Sequence, residues 1–371
     1  MEILTEKIDL NNLDKSNWET FKFDEIAQKI SKTIDPNETI LETYVGLEHI
    51  DAEDLHIRRK GTPDDVKGGK LRCYPGDIIF GKRRAYQRKA AIVDFHGICS
   101  AHAFVLRANS EVIDPKLFPF FLHSDQFMHR MVDISVGGLS PTINWGDLKH
   151  QEFLLPPKDQ QAQLAKLLWV MNEVIEREKV VLEKIETHKS TYVKNCIFHF
   201  AMETDIPFIS IGELFEVKTG NKNAQDAIEN GEFPFFTRSI ETQRIDTYDY
   251  DQEALILPGE GNFQIKYFKG KFNVHQRTYV LSDKGSHSIK LPLYKDVLQY
   301  RVVELIQKSV GSTVDSLRKP IIEKIKVPLL SEKDQQRIEG IINKQDNSQS
   351  ILEEKLSSSK SLQKSLINQI F

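Results

Sequence analysis

Cysteine is scarce in this chain of 371 residues, and the three present, Cys73, Cys99 and Cys196, are scattered. An odd, dispersed set argues against a disulfide framework and suits a reducing cytoplasm. The eleven histidines show no zinc-ligand spacing with those cysteines, so no metal site is expected. No run of about eighteen apolar residues exists, which leaves no candidate for a membrane-spanning helix. The opening MEILTEKIDL carries acids without an apolar run and does not read as a signal peptide. A net charge of −4 gives no global nucleic-acid signature. Catalytic motifs are missing as well. Gly68-Gly69-Lys70 lacks the upstream glycine of a P-loop. Leu155-Pro156-Pro157-Lys158 is not the Asn/Asp-Pro-Pro-aromatic loop of amino methyltransferases. Pro63-Asp64-Asp65-Val66-Lys67 has the outline of a nuclease's acid-x-Lys element, but the other metal-binding carboxylate cannot be placed by spacing, so it reads as a surface turn. No nucleophile or acid–base pair can be assigned, so neither catalytic residues nor a bound cofactor are expected.

What the chain does have is a long helix, twice. Apolar residues fall at Leu164, Leu168, Met171, Ile175, Leu182, Ile185, Tyr192 and Cys196, intervals of three, four and seven that mark one stripe of a helix close to a heptad seam. Neither Gly nor Pro interrupts residues 158–198. A rod on the order of 60 Å long results. The passage recurs at the C-terminus, displaced by 174 residues: Gly311 answers Gly137, Ile322 Leu148, Val327 Phe153, Ile338 Leu164, Ile342 Leu168 and Leu356 Leu182. Asp159-Gln160-Gln161 and Asp334-Gln335-Gln336 also match, slipped by one residue. The period is far too long for a solenoid, so the chain reads as a duplication: block, helix, block, helix. The second helix is the more polar, with Gln345, Gln349 and Ser357-Ser358-Ser359.

Both blocks read as short strands closed by a helix, an α+β module. In the first, residues 18–30 pack one end, Tyr44 to Ile50 alternates as a strand, residues 60–69 form a turn-rich loop, and Ile78-Ile79-Phe80 is a buried strand. Residues 90–106 complete a meander, and residues 116–131 look helical. In the second, residues 211–215 answer 23–26, Ala254–Leu257 answers Ile78–Phe80, Val274–Leu281 answers Cys99–Leu106, and residues 291–310 answer the helix. The boundaries expected are 1–155 and 204–330 for the blocks, and 156–203 and 331–371 for the helices.

Charge is distributed unevenly. Residues 56–89 hold eleven Lys/Arg against three Asp, and residues 262–277 hold four Lys/Arg and no acid, Lys266 among them. Lys82, Arg83, Arg84, Tyr86, Gln87, Arg88 and Lys89 follow a buried strand with turn residues just upstream. A lone charge run is ordinarily a solvated surface. At this position it reads as a DNA contact, because Arg and Lys neutralise phosphates while Arg and Gln bind base edges bidentately. His275-Gln276-Arg277 has the donor-rich chemistry of base readout, although an edge strand exposes alternating polar residues anyway. The matching Ser100-Ala101-His102 is less polar, as suits two blocks reading different sequences. Thr237-Arg238-Ser239 and Gly259-Glu260-Gly261-Asn262 could hold a phosphate through loop amides, or be simple turns.

Taken in order, GDIIFGKRRAYQRKA, PTINWGDLKHQEFLLPP, PFFTRS, LPGEGN, GKFNVHQRTYVL and the two helical repeats resemble the specificity (S) subunit of type I restriction–modification systems over essentially the whole length. The resemblance implies two target-recognition domains separated by two long helices, which pair as an antiparallel coiled coil in a pseudo-two-fold repeat. Leu164, Leu168, Met171, Ile175, Leu182 and Ile185 would then face Ile338, Ile342, Leu352, Leu356, Leu366 and Ile370. It also implies a non-catalytic subunit, with Arg238 and Asn262 near the DNA face. The partners would be double-stranded DNA with a bipartite sequence, two methyltransferase (M) subunits and restriction/translocase (R) subunits, with no membrane. S-adenosylmethionine, ATP and Mg would belong to those partner subunits. An S-like subunit of a related system that cuts near its site is the alternative. A free-standing nuclease or methyltransferase lacks its cofactor equipment here, and a pure coiled-coil scaffold would not need basic blocks between its helices.

Overall fold

The computed structural model of the chain describes residues 13–261, 263–308 and 316–371. Most of the N-terminal arm, the Val310-Gly311 echo and Asn262 lie outside them. Described strands of the first block are β1 (Glu19–Lys22), β2 (Ala27–Ile30), β3 (Thr33–Ile34), β4 (Tyr44–Val45), β5 (Lys70–Cys73), β6 (Ile78–Gly81), β7 (Ala90–Ile92), β8 (Gly97–Cys99), β9 (Ala103–Ala108) and β10 (Glu152–Leu155). Its helices are α1 (Phe23–Ile26), α2 (Phe118–His123), α3 (Asp125–Asp133) and α4 (Trp145–Leu148), followed by the long α5 (Lys158–Val193). After a π turn (Lys194–His199) and α6 (Phe200–Glu203) come β11 (Phe208–Ser210), α7 (Ile211–Leu214), β12 (Phe215–Thr219), β13 (Phe233–Phe236), β14 (Gln243–Ile245), β15 (Tyr250–Pro258), β16 (Lys266–Val274) and β17 (Thr278–Asp283). The chain ends with α8 (Leu291–Lys308), α9 (Lys319–Lys324), β18 (Lys326–Pro328) and the long α10 (Glu332–Ile370).

Contacts divide the chain into two units, 1–179 with 355–371 and 180–354. Each holds one strand-rich block and one end of each long helix. In the first unit the strands make two sheets, β2-β9-β6-β7 and β3-β5-β8-β4, plus the pair β1-β10. In the second they make one sheet, β12-β17-β15-β16-β13-β14, plus the pair β11-β18. These are the same plan. β16 pairs antiparallel with β15 and then, at Asn273 and Val274, parallel with β13. In the first unit those two tasks fall to separate strands, β7 on β6 and β8 parallel to β4. The break comes at Val93, whose amide donates to the Asp77 carbonyl (2.8 Å) and whose carbonyl accepts from the Gly76 amide (2.9 Å).

Residues 116–131 form two helices rather than the single one expected. Ser124 divides them: its hydroxyl donates to the Phe121 carbonyl at 2.8 Å, ending α2, and accepts from the Phe127 amide at 3.2 Å, capping α3. The predicted strand from Tyr44 to Ile50 shrinks to β4, followed by a turn of 3₁₀ helix at Leu47–His49. The first core gathers Phe23, Phe121, Phe127 and Phe153, all buried, with ring centroids 5.2–6.1 Å apart among them. The second centres on buried Tyr294, whose hydroxyl donates to the Pro328 carbonyl at 2.9 Å.

One buried glutamine locks the start of each long helix to its block. Gln161 donates to the Val112 and Pro156 carbonyls at 2.9 and 2.8 Å and accepts from the Asp114 amide at 2.6 Å. Gln335 repeats this, donating to Ser288 (2.8 Å) and Leu330 (3.0 Å) and accepting from the Lys290 amide (2.8 Å). Structurally equivalent residues are thus 174 apart, and the one-residue slip of the Asp-Gln-Gln strings is a coincidence of composition.

The two long helices touch within each unit. In the first, Gln363 donates to the Leu168 carbonyl (3.4 Å) and Lys355 lies 3.4 Å from Glu178. Partner numbers fall on α10 as they rise on α5, so the two segments run antiparallel there. In the second, Lys189 meets Asp346 at 2.6 Å and Gln345 meets His188 at 2.8 Å. Leu164, Leu168, Ile175, Ile338, Ile342, Leu366 and Ile370 are buried, whereas Met171, Leu182, Ile185, Leu352 and Leu356 are half-buried. Within each unit the apolar contacts are therefore tight near the block, and half-buried residues and polar contacts follow farther along the helices.

Candidate nucleic-acid interface

In the first unit the sequence turns sharply after β6. Gly81 pairs with Ala103 at the start of β9, so Lys82 and His102 emerge at the same end of the sheet. Arg84 and Arg88 both take left-handed backbone (φ 56° and 52°) around a single 3₁₀ turn, Ala85–Gln87, with Ala85 buried beneath it. The turn is pinned by the Arg84 amide, which donates to the Pro141 carbonyl at 2.8 Å, while its guanidinium reaches the Ser140 hydroxyl at 3.1 Å.

The basic run then divides into two kinds of cation. Arg83, Arg84, Tyr86 and His102 are exposed. Arg88 is a cross-link: it lies 2.7 Å from both the Glu53 and Asp125 carboxylates and donates to the His123 carbonyl at 3.0 Å. Lys89 donates to the Leu47 carbonyl at 2.6 Å. Lys82 lies half-buried over the Phe104 ring, and burial, with Lys29 beside it, pushes its ammonium pKa below the usual lysine range. Gln87 is half-buried, its amide closing the turn on Arg84.

In the second unit three loops far apart in sequence meet at one end of the sheet. Pro258 pairs with Thr278, the His275 amide donates to the Phe236 carbonyl at 2.9 Å, and the Gly259 amide donates to the Arg277 carbonyl at 2.8 Å. Arg238, Gln276 and Arg277 are exposed. Both arginines converge on Glu260, Arg238 at 3.3 Å and Arg277 in a close ion pair. Gln276 donates to Asn223 at 2.8 Å. His275 is buried, and its Nδ1 accepts from the Arg277 amide at 3.1 Å, which leaves Nε2 as the donor nitrogen of the neutral ring. Burial pushes its pKa down, and the neighbouring Arg238 and Arg277 push the same way. Lys266 is committed inside the block: its ammonium donates to the Ile240 carbonyl (2.6 Å) and the Thr242 hydroxyl (3.1 Å), with its pKa lowered by burial.

The Gly-x-Gly turn serves packing. A Cβ on Gly259 would stand 2.9 Å from the Arg277 carbonyl oxygen and 2.8 Å from the Tyr279 ring, and Gly261 has φ +81°. Since the Gly259 amide is engaged by Arg277, it is not available to a phosphate. Sequence reasoning named Glu260 only within a candidate phosphate turn, not as the partner of Arg238 and Arg277, and it missed Asn223 and Lys222, whose carbonyl accepts from the Gln276 amide at 2.9 Å. The only signal was an acid flanked by glycines directly after a buried strand. Among the described residues, no group of three His, Cys, Asp or Glu side chains is placed to hold a metal ion. Nor is any described helix long and apolar enough to cross a membrane.

The family model of the type I restriction modification DNA specificity domain matches this chain twice, over residues 15–187 and 203–359. The chain belongs to that family. Each specificity domain takes in one strand-rich block and most of the long helix that follows it. A curated relative, the type I restriction enzyme EcoDI specificity subunit of Escherichia coli, is 34% identical over 134 residues. That match spans 36% of this chain and only 30% of the relative's length. Two solved structures resemble the whole chain. One is the S subunit of a type I restriction–modification system from M. genitalium (18% identity, TM-score 0.54, 96% of both chains). The other comes from work on complex assembly and conformational transition of the type I R-M system (17% identity, TM-score 0.53, 96% of this chain and 97% of that one). At such identity these two speak for the shared fold, with its two specificity domains and mixed helix and sheet.

Proposed function

We propose that this chain is the non-catalytic DNA-reading subunit of a type I restriction–modification complex, each specificity domain reading one half of a bipartite site in double-stranded DNA. One observation carries the reading. In both units, exposed cations and neutral donors from loops distant in sequence gather at the end of the same strand pair, β6–β9 in one and β15–β17 in the other. Guanidinium groups there can neutralise phosphates or grip base edges in pairs of hydrogen bonds. A neutral His275 with Nε2–H and Gln276 supply donors that carry no charge, which favours base edges over phosphates. The different residues at the two strand ends, Arg83 and Arg84 against Arg238, His275, Gln276 and Arg277, fit two unlike half-sites.

On this reading the long helices set the spacer between half-sites and dock two methyltransferase subunits, with restriction/translocase subunits completing the complex. Adenine methylation and ATP-dependent cleavage, with S-adenosylmethionine, ATP and Mg, belong to those partners, and the complex works in the cytoplasm. Mapping methylation on DNA modified by the chain together with its methyltransferase tests this. A single split motif is expected, and no methyl transfer by the chain alone. Methylation by the purified chain without a partner would refute it.

A further inference from the structure

The two units carry opposite charge at one equivalent position of the candidate DNA face. In the first, the Ile143 amide donates to the Lys82 carbonyl at 2.9 Å. In the second, the Leu317 amide donates to the Gly259 carbonyl at 2.7 Å. Residues 143 and 317 are separated by the repeat's 174, and the strands leading in have matching registers, Gly81 on Ala103 and Pro258 on Thr278. Lys82 and Gly259 are therefore equivalent, and so are the residues that follow, Arg83 and Glu260. Where the first block offers an exposed guanidinium, the second offers a carboxylate whose side chain is only 19% exposed and which is clasped by Arg238 and Arg277, themselves 57% and 58% exposed. A carboxylate on a DNA-facing rim opposes binding to phosphate in general, so its presence there needs a reason that general affinity does not supply.

We propose that Glu260 is the positioning residue of the second reader, holding Arg238 and Arg277 side by side so that one of the two guanidinium groups recognises the guanine edge of a G·C pair in that half-site. This rests on the DNA-reading function proposed above. Each guanidinium gives one nitrogen, Nη1, to the carboxylate. The remaining N–H groups of its planar fork stay available to guanine O6 and N7, the acceptor pair Arg matches bidentately. A long side chain fixed before DNA arrives loses less rotamer freedom on binding, and a fixed direction separates a base edge from a phosphate. In the first unit Arg83 has no such carboxylate partner among the described residues, which suits a more mobile, phosphate-directed contact.

The test uses the full chain assembled with its methyltransferase subunits, and duplexes in which each base pair of the second half-site is changed in turn. Glu260→Gln should lower discrimination at one G·C position by about tenfold or more. At the same time it should raise affinity for unrelated duplex and steepen its salt dependence by roughly one charge, because the arginines are released to phosphates. Glu260→Asp should restore part of the discrimination. Discrimination in the first half-site, unchanged, reports that the fold is intact. If Glu260→Gln leaves every position of the second half-site as before while Arg277→Ala does not, Glu260 positions nothing and the proposal fails. If Arg238→Ala and Arg277→Ala both leave DNA binding unaltered, the DNA-face reading fails and takes this proposal with it.

Discussion

Replacing Gln161 with alanine should loosen the first unit by a measurable and rather large amount. The side chain is 1% exposed and makes three hydrogen bonds to backbone groups, to the Val112 carbonyl and from the Asp114 amide of a remote segment and to the Pro156 carbonyl just ahead of α5. An alanine leaves those three groups without their partner in a space from which water is largely excluded. Each unsatisfied buried group costs about 1–3 kcal/mol, and water entering the vacated volume recovers part of it, so a net loss of about 2–4 kcal/mol is expected. For a unit of this size that corresponds to a drop of about 4–16 °C in Tm. All three tryptophans, Trp18, Trp145 and Trp169, lie in this unit, so their emission during urea or thermal unfolding follows it selectively. Gln161→Glu should be no better than alanine, because a carboxylate cannot donate to the Val112 and Pro156 carbonyls. Gln335→Ala, monitored by circular dichroism, should cost a similar amount in the second unit. Loss below about 0.5 kcal/mol in both alanine variants would refute the reasoning, since it would mean that solvent satisfies these groups as well as glutamine does.

Arg83→Ala and Arg84→Ala should each weaken binding to all duplexes alike and flatten the salt dependence by roughly one charge, measured by titration at several salt concentrations. Inserting four residues after Glu178 adds about 6 Å of helix, which should lengthen the non-specific gap of the methylated motif by about one or two base pairs while both half-sites persist. Full activity on the original spacing would show that the helices are not the ruler. Acid should attack the ion network around Asp54. Burial pushes that carboxyl up, but hydrogen bonds from Arg58, the His56 amide and Lys179 outweigh it and hold the pKa at about 2, against an ordinary 3.8. A depressed folded pKa gives stability that is present above the ordinary value and lost as pH falls through the folded one. Between about pH 4 and 2 the Tm of the native chain should therefore fall more steeply than that of Asp54→Asn, and parallel curves would exclude the network as the cause.

Periodicity made the long helices and the duplication legible, because a stripe with no Gly or Pro has few alternatives to a helix. The meander of short strands was legible for the same local reason. Breaks that depend on a single side chain were not: Ser124 ends α2 and caps α3 through two hydrogen bonds whose value appears only when both partners are in place. The π turn at Lys194–His199 follows an unbroken helical pattern and left no mark in composition. Nor could the seam's periodicity tell that Leu182, Ile185, Leu352 and Leu356 would be only half-buried, since their exposure depends on what covers the helices rather than on their spacing.

The candidate site divides along the same line. Composition singled out the basic run after β6 and the donor-rich segment before β17, and both lie at the ends of their sheets. It could not separate a cation that faces solvent from one that is already engaged. Arg83 and Arg88 look alike in the sequence, yet one is exposed and the other bridges Glu53, Asp125 and the His123 carbonyl. Those partners stand 35 or more residues away, so only the folded chain brings the compensating charge. An engaged arginine would lose its ion pairs on moving to a phosphate, and the exchange gains little; an exposed one gives up only water. The same accounting, applied to Arg238 and Arg277, reverses the sign of what looks like an unfavourable acid. Glu260 removes charge from the face and returns it as direction, and direction, unlike charge, is a property that separates one base pair from another.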